Sequence, residues 1–369
     1  MKTFEMKTVI HFGDNALDRL AELPYKKVLV ITDPFIAKGE MINLITEPLK
    51  RGGKEFEVFS DVVPDAPVGK IAVGVKKFLE YQPEVVVAVG GGSAIDSSKA
   101  IREFALKINN YGKIAIPTTS GTGSEVTSFA VVSDPKEKMK YPLVSEHLTP
   151  DEAILDAELV KSVPPSITAD TGMDVLTHAI ESYVSINHNE FSSALAEKSI
   201  EICGVFLLRA YLDGSDMHAR QKMHVASCLA GLSFNTAGLG VNHSIAHQLG
   251  GTFHIPHGLA NAMLLTRVID FNCEEKQILD KYAAMVYKVK LASITTRPQE
   301  AVKILKEVIR MMMAAMNMDD SVEKFGVSRE DYVSQLDNMT ENALKDNCLN
   351  TTPRKIGAGE IRQILLEIY

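Results

Sequence analysis

The sequence predicts two domains: an α/β domain with a parallel sheet over residues 1–165, then an all-α domain over residues 166–369. Three observations carry this. Short β-branched apolar runs alternate with helical patterns as far as about residue 165, the signature of a parallel α/β sheet. Pro164-Pro165 then interrupts the chain, and proline cannot sit in a helix interior. Beyond it one helical pattern follows another with no convincing strand. At 369 residues the chain is also long for a single core.

In the first domain, KVLVITD (27–33) reads as a buried strand ending at Asp33, and IAKGEMINLITEPLK (36–50) as the helix after it. VGKIAVGVKKFLEY (68–81) is a second helix, closed by Pro83. PEVVVAVGGGS is a strand that runs into three glycines, SAIDSSKAIREFAL a helix, and KIAIPTT a further strand before the glycine-rich SGTGSEVTSF. In the second domain, helices are expected over 166–187, 190–212, 218–236, 242–250, 258–272, 274–290 and 298–316, with shorter ones to the end. MMMAAM (311–316) reads as helix core.

Two turns bear candidate ligand groups. In GGGSAID, Gly90, Gly91 and Gly92 let the backbone approach a ligand. Ser93 and Asp96 open the next helix, whose free N–H groups favour an anion such as a pyrophosphate. A tight strand-to-helix turn with no ligand would read the same. The second turn, TTSGTGSE (118–125), also follows a strand. Ligands of doubly wound sheets bind in the crevice at such carboxyl ends. Asp33 ends a third strand, where a carboxylate can accept from the ribose hydroxyls of NAD and repel the 2′-phosphate of NADP; a helix or turn cap is the ordinary alternative. This is not the usual dinucleotide fingerprint, in which the acid follows the glycines by about 20 residues; here Asp33 precedes them.

Residues 242–258, NHSIAHQLGGTFHIPHG, hold four of the ten histidines. His243 and His247 are four apart and share a helix face, at about 5–6 Å. The helix should stop at Gly250-Gly251, since paired glycines make poor helix interior. The chain then turns through Pro256 and brings back His257. Asp174 and His178 form a second pair four apart in GMDVLTHAIESYVS. Two such helices facing each other offer one carboxylate and three imidazoles: Asp174, His178, His243 and His257. That set suits Fe(II), Zn(II) or another first-row divalent ion. Such an ion can hold a substrate oxygen as a Lewis acid beside a nicotinamide that exchanges hydride. His254 could line the cavity without ligating. His11, His147, His188, His218 and His224 have no acid or imidazole at ligand spacing and read as structural or solvated.

Composition excludes several classes. A net charge of -8 with no basic run argues against a nucleic-acid binder. No stretch approaches the roughly 20 apolar residues that span a bilayer, and MKTFEMKTV lacks a signal-peptide core. Cys203, Cys228, Cys273 and Cys348 form no CxxC and read as reduced core thiols. A cytoplasmic protein without membrane or nucleic-acid partners is the expectation.

The motifs VLVITD, VVAVGGGSAID, PTTSGTGSEVT, GMDVLTHAIESYVS and HSIAHQLGGTFHIPHGLANAMLL, in this order, resemble the iron-containing (group III) alcohol dehydrogenases along nearly the whole chain. The resemblance implies a Rossmann-like domain joined to a helical domain, the dehydroquinate synthase-like fold. It implies Fe2+, or Zn2+ or another divalent metal in isolated protein, on Asp174, His178, His243 and His257. It places His247 in proton transfer or positioning. It implies NAD(H) contacts from Asp33, Gly91, Gly92, Ser93, Asp96, Thr118, Thr119, Thr122 and Lys140, with the acid at 33 typical of members that prefer NAD. Where relatives show Pro-Asn-Pro, this chain reads Pro64-Asp65-Ala66-Pro67, which puts one cofactor contact in doubt. Phe129, where lactaldehyde reductases of the family carry Asn, and Phe234 imply a small apolar substrate pocket. Burying a substrate hydroxyl there without a partner would be costly.

Short-chain primary alcohols and aldehydes (propanol and propionaldehyde, ethanol, butanol) are therefore expected ahead of 1,2- or 1,3-diols and lactaldehyde. The general look is similar to 1-propanol or ethanol dehydrogenases of propanediol- or ethanolamine-utilising bacteria. It implies a homo-oligomer, a dimer, with association with a bacterial microcompartment in view. A dehydroquinate synthase-like lyase that recycles bound NAD is the rival on the same fold; such relatives commonly lack the Asp ligand. A non-catalytic nucleotide-binding protein is the third reading, and four filled ligand positions weigh against it.

Overall fold

A computed structural model describes residues 4–105, 111–135 and 139–369, without the side chains of Met139 and Lys140. The chain divides into two compact units, Met1–Ser162 and Val163–Tyr369.

The first unit is built on a six-stranded parallel sheet. In chain order its strands are β1 (Val9–Phe12), β2 (Lys27–Ile31), β3 (Glu55–Phe59), β4 (Val85–Gly90), β5 (Gly112–Pro117) and, after an antiparallel hairpin of β6 (Phe129–Asp134) and β7 (Met139–Val144), β8 (Glu152–Leu155). The order across the sheet is β1-β8-β5-β4-β2-β3. β4 and β5 are buried along their whole length. A parallel strand covered on both faces reads as a continuous apolar run, which is why VVVAV and KIAI are legible as strands. β1 and β3 are edges. Val9 and Phe12 of β1 stay exposed, and EFEVF of β3 alternates charged with apolar.

The helices of this unit are α1 (Pro34–Lys38), α2 (Met41–Arg51), α3 (Val68–Tyr81) and α4 (Gly92–Ala105). The single helix expected over 36–50 is two, broken at Gly39. Asp33 is the N-cap of α1 and accepts from the N–H groups of Phe35 (2.8 Å) and Ile36 (3.0 Å), so α1 starts two residues earlier than the apolar pattern suggests.

From β2 the chain moves outward to β3, then returns to pair β4 on the other side of β2. The direction of winding reverses there, and the carboxyl ends of β2 and β4 flank the switch point at which doubly wound sheets bind ligands.

Among the described residues the second unit is helical: α5 (Pro165–Val184), α6 (Glu190–Leu212), α7 (Met217–Ala237), α8 (Val241–Phe253), α9 (His257–Cys273), α10 (Lys276–Lys288), α11 (Pro298–Ala315), α12 (Val322–Phe325), α13 (Arg329–Leu344) and α14 (Ala358–Glu367), with a 3-10 turn at Asn347–Thr351. Pro165 stands at the first position of α5, where its missing N–H costs nothing. α5 is buried along most of its length and packs against α6, α7 and α9. Two glycines make these crossings possible. A Cβ on Gly172 would overlap Leu207 of α6, and one on Gly258 would overlap the carbonyl of Asp170.

The helix carrying His243 and His247 does not stop at Gly250-Gly251. α8 continues to Phe253 and ends at His254, whose φ of 57° is left-handed and whose N–H reaches the Gly250 carbonyl at 3.1 Å. His254 is thus an exposed helix cap, a role normally taken by Gly or Asn. No helix among the described residues is long and apolar enough to cross a membrane.

Candidate functional site

Asp174 and His178 lie one turn apart on α5, His243 lies on α8, and His257 opens α9. Their side chains converge. Asp174 Oδ1 is 3.8 Å from His178 Nε2, 3.5 Å from His243 Nε2 and 3.5 Å from His257 Nε2. One ligand atom from each lies within 4.8 Å of all the others. Four donors on a tetrahedral ion at about 2.0–2.1 Å stand roughly 3.4 Å apart, so the residues present fit a divalent metal. The side-chain amide of Asn261 sits among them, Nδ2 at 2.8 Å from Asp174 Oδ1, 3.1 Å from His243 Nε2 and 3.2 Å from His257 Nε2. Asn242 Nδ2 donates to Asn261 Oδ1 at 2.9 Å, which fixes the amide that way round. Asp174 Oδ1 and the two imidazole nitrogens are therefore gathered around one positively polarised group, at the place a cation would take.

Electrostatics follow from this packing. Burial alone would raise the Asp174 carboxyl, yet the imidazoles of His178, His257 and His243 outweigh it and hold the group well below the ordinary carboxylate range. Burial opposes protonation of His243, but bonds to Asp174 and Glu181 push it up to about 9. A metal would take the place of that proton. His257 keeps 42% of its side chain accessible, yet crowding by protein and by the other imidazoles pushes it down, against the pull of Asp174.

His247 lies one turn beyond His243. Its ring stacks on His257 with centroids 5.4 Å apart and planes at 14°, and its Nδ1 is 2.8 Å from Asp346 Oδ2. Phe234 of α7 is buried and stacks on His178 at 4.6 Å. His254 is outside the cluster.

In the first unit Asp33 stands beside the glycine turn. A Cβ on Gly90 would lie 3.7 Å from Asp33 Oδ2. Gly91 and Gly92 face Thr119 and Thr122; a Cβ on Gly92 would come within 2.9 Å of Thr122 Cγ2. The two glycine-rich turns therefore pack on each other. Thr118 is buried, and its N–H donates to the Gly90 carbonyl at 3.0 Å. Ser93 Oγ accepts from the Asp65 N–H at 3.1 Å, with Asp65 and Ala66 both at positive φ. Asp96 accepts from Ser124 Oγ (2.6 Å) and the Val131 N–H (2.9 Å), so its carboxylate braces α4 against the second turn. Phe129 opens β6 in this unit, and its carbonyl accepts from the buried Lys99 ammonium at 2.6 Å. Lys140 lies on β7, and its side chain is outside the described residues.

Four groups escaped the sequence reading. Glu181, Asn242, Asn261 and Asp346 all touch the histidines or one another. Glu181, seven residues after Asp174, was open to discovery as a third polar residue on the same helix face. His11, unpaired by sequence spacing, meets Glu152 at 2.9 Å, a partner 141 residues away.

Comparison with known proteins bears on both units. A family model described as iron-containing alcohol dehydrogenase matches residues 7–157, and one described as its C-terminal part matches 168–369. A 1-propanol dehydrogenase, PduQ, of Citrobacter freundii is 41% identical over 372 residues, covering 100% of both chains. Among solved structures, a 1,3-propanediol oxidoreductase superposes with a TM-score of 0.93 at 31% identity over 100% of both chains. A sulfoacetaldehyde reductase from Bifidobacterium kashiwanohense, in complex with NAD+, superposes with a TM-score of 0.88 at 25% identity over 100% of this chain and 98% of that one.

Proposed function

Because the chain belongs to the iron-containing alcohol dehydrogenases, an oxidoreductase family, we propose that it interconverts short-chain primary alcohols and aldehydes with NAD(H) and a divalent metal, Fe2+ in the working enzyme. The observation that carries this reading is the convergence of Asp174, His178, His243 and His257. A carboxylate and three imidazoles without thiolate suit a first-row divalent ion. When bound, the ion supplies Lewis acidity toward the alcohol or aldehyde oxygen, and the dinucleotide gives or takes hydride at the adjacent carbon.

The remaining work falls to side chains. Asp174 brings one negative charge to the centre, and His178, His243 and His257 bring none once deprotonated, so a divalent ion keeps net positive charge toward substrate oxygen. His247, held at Nδ1, presents Nε2 for proton transfer. Phe234 closes the side of the site behind His178 and keeps water from it. Asp33 takes the ribose hydroxyls, while Gly91, Gly92, Ser93, Asp96, Thr118, Thr119, Thr122 and Lys140 form the bed of the dinucleotide.

Propanol and propionaldehyde are the leading substrates, supported by the likeness to the Citrobacter enzyme and by the apolar ring of Phe234. A diol reading, 1,2- or 1,3-propanediol, draws support from the likeness to the 1,3-propanediol oxidoreductase; the pocket role of Phe129 rests on the resemblance. A homodimer in the cytoplasm, within or outside a microcompartment, belongs to the same reading and rests on resemblance alone.

The test is NADH oxidation with an aldehyde panel by anaerobically prepared protein. Turnover of propionaldehyde that chelation abolishes and Fe(II) restores supports the reading. Undiminished turnover after complete chelation contradicts it, and a preference for 3-hydroxypropionaldehyde moves the assignment to diols.

A further inference from the structure

We propose that Glu181 is a positioning residue of the metal centre, fixing His243 in the tautomer that leaves Nε2 open to the ion. The inference rests on the reading that Asp174, His178, His243 and His257 hold the metal.

Glu181 follows His178 by three residues and Asp174 by seven, so all three project from one face of α5. Its side chain is 5% exposed. Each carboxylate oxygen has its own donor. Oε1 accepts from the Asn242 N–H at 2.8 Å, and Oε2 lies 2.5 Å from His243 Nδ1. The Asn242 N–H belongs to the first turn of α8 and has no partner within the helix. A carboxylate there also meets the positive end of the helix dipole. The approach is close enough that a Cβ on Gly240 would lie 2.8 Å from Glu181 Oε1. Glycine at that position leaves room for the carboxylate.

The consequence is chemical. An ionised carboxylate only accepts hydrogen bonds, so His243 Nδ1 must carry the proton. Nε2 is then left with its lone pair, and it faces Asp174 Oδ1 at 3.5 Å. The opposite tautomer would put a proton where the metal must bind. A carboxylate behind a ligating histidine fixes ring orientation and raises ligand basicity, and losing such a partner typically costs about 10- to 100-fold in metal affinity.

Glu181→Gln separates this role from simple packing. Glutamine keeps the shape but has one acceptor oxygen. The buried Asn242 N–H claims it, and the amide NH2 then faces His243 Nδ1 and drives the proton to Nε2. The experiment measures Zn(II) and Co(II) affinity of the full chain by competition with a chromophoric chelator, for wild type, Glu181→Gln and His243→Ala. The expected result is a 10- to 100-fold loss for Glu181→Gln, with a metal-free protein that still folds. In the zinc-loaded wild type, 15N-histidine spectra should show His243 protonated at Nδ1, with the signal identified by its loss in His243→Ala. Glu181→Gln affinity within about twofold of wild type, while His243→Ala loses the metal, overturns this inference alone. Equal binding by wild type and His243→Ala overturns the metal-site reading itself. Should Glu181→Gln fail to fold, the wild-type spectrum decides: an unprotonated His243 Nδ1 overturns the proposal.

Discussion

Asp346 holds His247 by Nδ1 at 2.8 Å while its other oxygen accepts the Cys348 N–H, also at 2.8 Å. It does for His247 what Glu181 does for His243. Burial would raise the Asp346 carboxyl, but its bonds to the His247 ring and to the Cys348 N–H hold it below the ordinary range. It is therefore an acceptor, and His247 Nε2 is left free to take a proton. Asp346→Asn keeps its oxygen on the backbone and turns an NH2 toward His247, which puts the proton on Nε2. The expected outcome is a fall in kcat of about 10- to 100-fold at unchanged metal content. Steady-state kinetics on metal-saturated protein checks it; a wild-type kcat would remove His247 from proton transfer.

Asp33 has two duties in one side chain. One oxygen caps α1, and the other lies beside the glycine turn. Asp33→Asn keeps a capping oxygen and removes the charge. It should raise kcat/KM for NADPH relative to NADH by about tenfold, since about 1.4 kcal/mol of like-charge repulsion at the 2′ position corresponds to that ratio. Thermal stability should hold. An unchanged cofactor ratio would mean that Asp33 acts only as a cap.

Gly258 follows His257 directly, and its α-carbon faces the carbonyl of Asp170. That obstacle is backbone and cannot rotate away. Gly258→Ala must push the start of α9 from α5, the helix that carries Asp174. A loss of about 1–3 kcal/mol in unfolding free energy is expected, together with weaker metal retention. Denaturant unfolding with metal analysis measures both, and wild-type values for both would contradict the packing argument.

Glu125 makes a prediction about pH. It is 1% exposed, and burial pushes its carboxyl up to about 7, with Lys99 pulling the other way. The unfolded chain releases this proton near 4.5, whereas the folded chain keeps it until about 7. Folding stability from this group is therefore greatest at low pH and falls as pH rises through that window. Glu125→Gln removes the penalty. Relative to wild type the variant should gain roughly 1–3 kcal/mol between pH 5 and pH 8. Urea unfolding across that range measures it; a flat difference would show that Glu125 is ionised in the folded protein throughout.

These residues also show what could be read before the fold was known. The central strands announce themselves because burial on both faces demands uninterrupted apolar side chains. β1, β3, β8 and the β6–β7 hairpin went unread. They are short or alternate with charge, and β1 and β8 are defined by partners far away in sequence, as Val9 is by Glu152, whereas β6 and β7 pair locally with each other. Of the four candidate ligands, Asp174 and His178 are legible as a pair at helical spacing, His243 through its spacing to His247, and His257 through the turn at Pro256. The residues behind them are not, because no spacing links Glu181 to His243 or Asp346 to His247. The end of α8 was misjudged for a different reason. Paired glycines lower helix propensity by about 1 kcal/mol each, and tertiary packing around α8, which buries Ile245, Ala246 and Leu249, exceeds that cost.

The most direct test of the whole account is anomalous diffraction from crystals of the chain loaded with Fe(II) or Zn(II), collected at the metal edge. The account predicts one strong peak per chain at about 2.0–2.2 Å from an Asp174 oxygen and from one nitrogen each of His178, His243 and His257. A peak elsewhere, or none at those four residues under saturating metal, would contradict it.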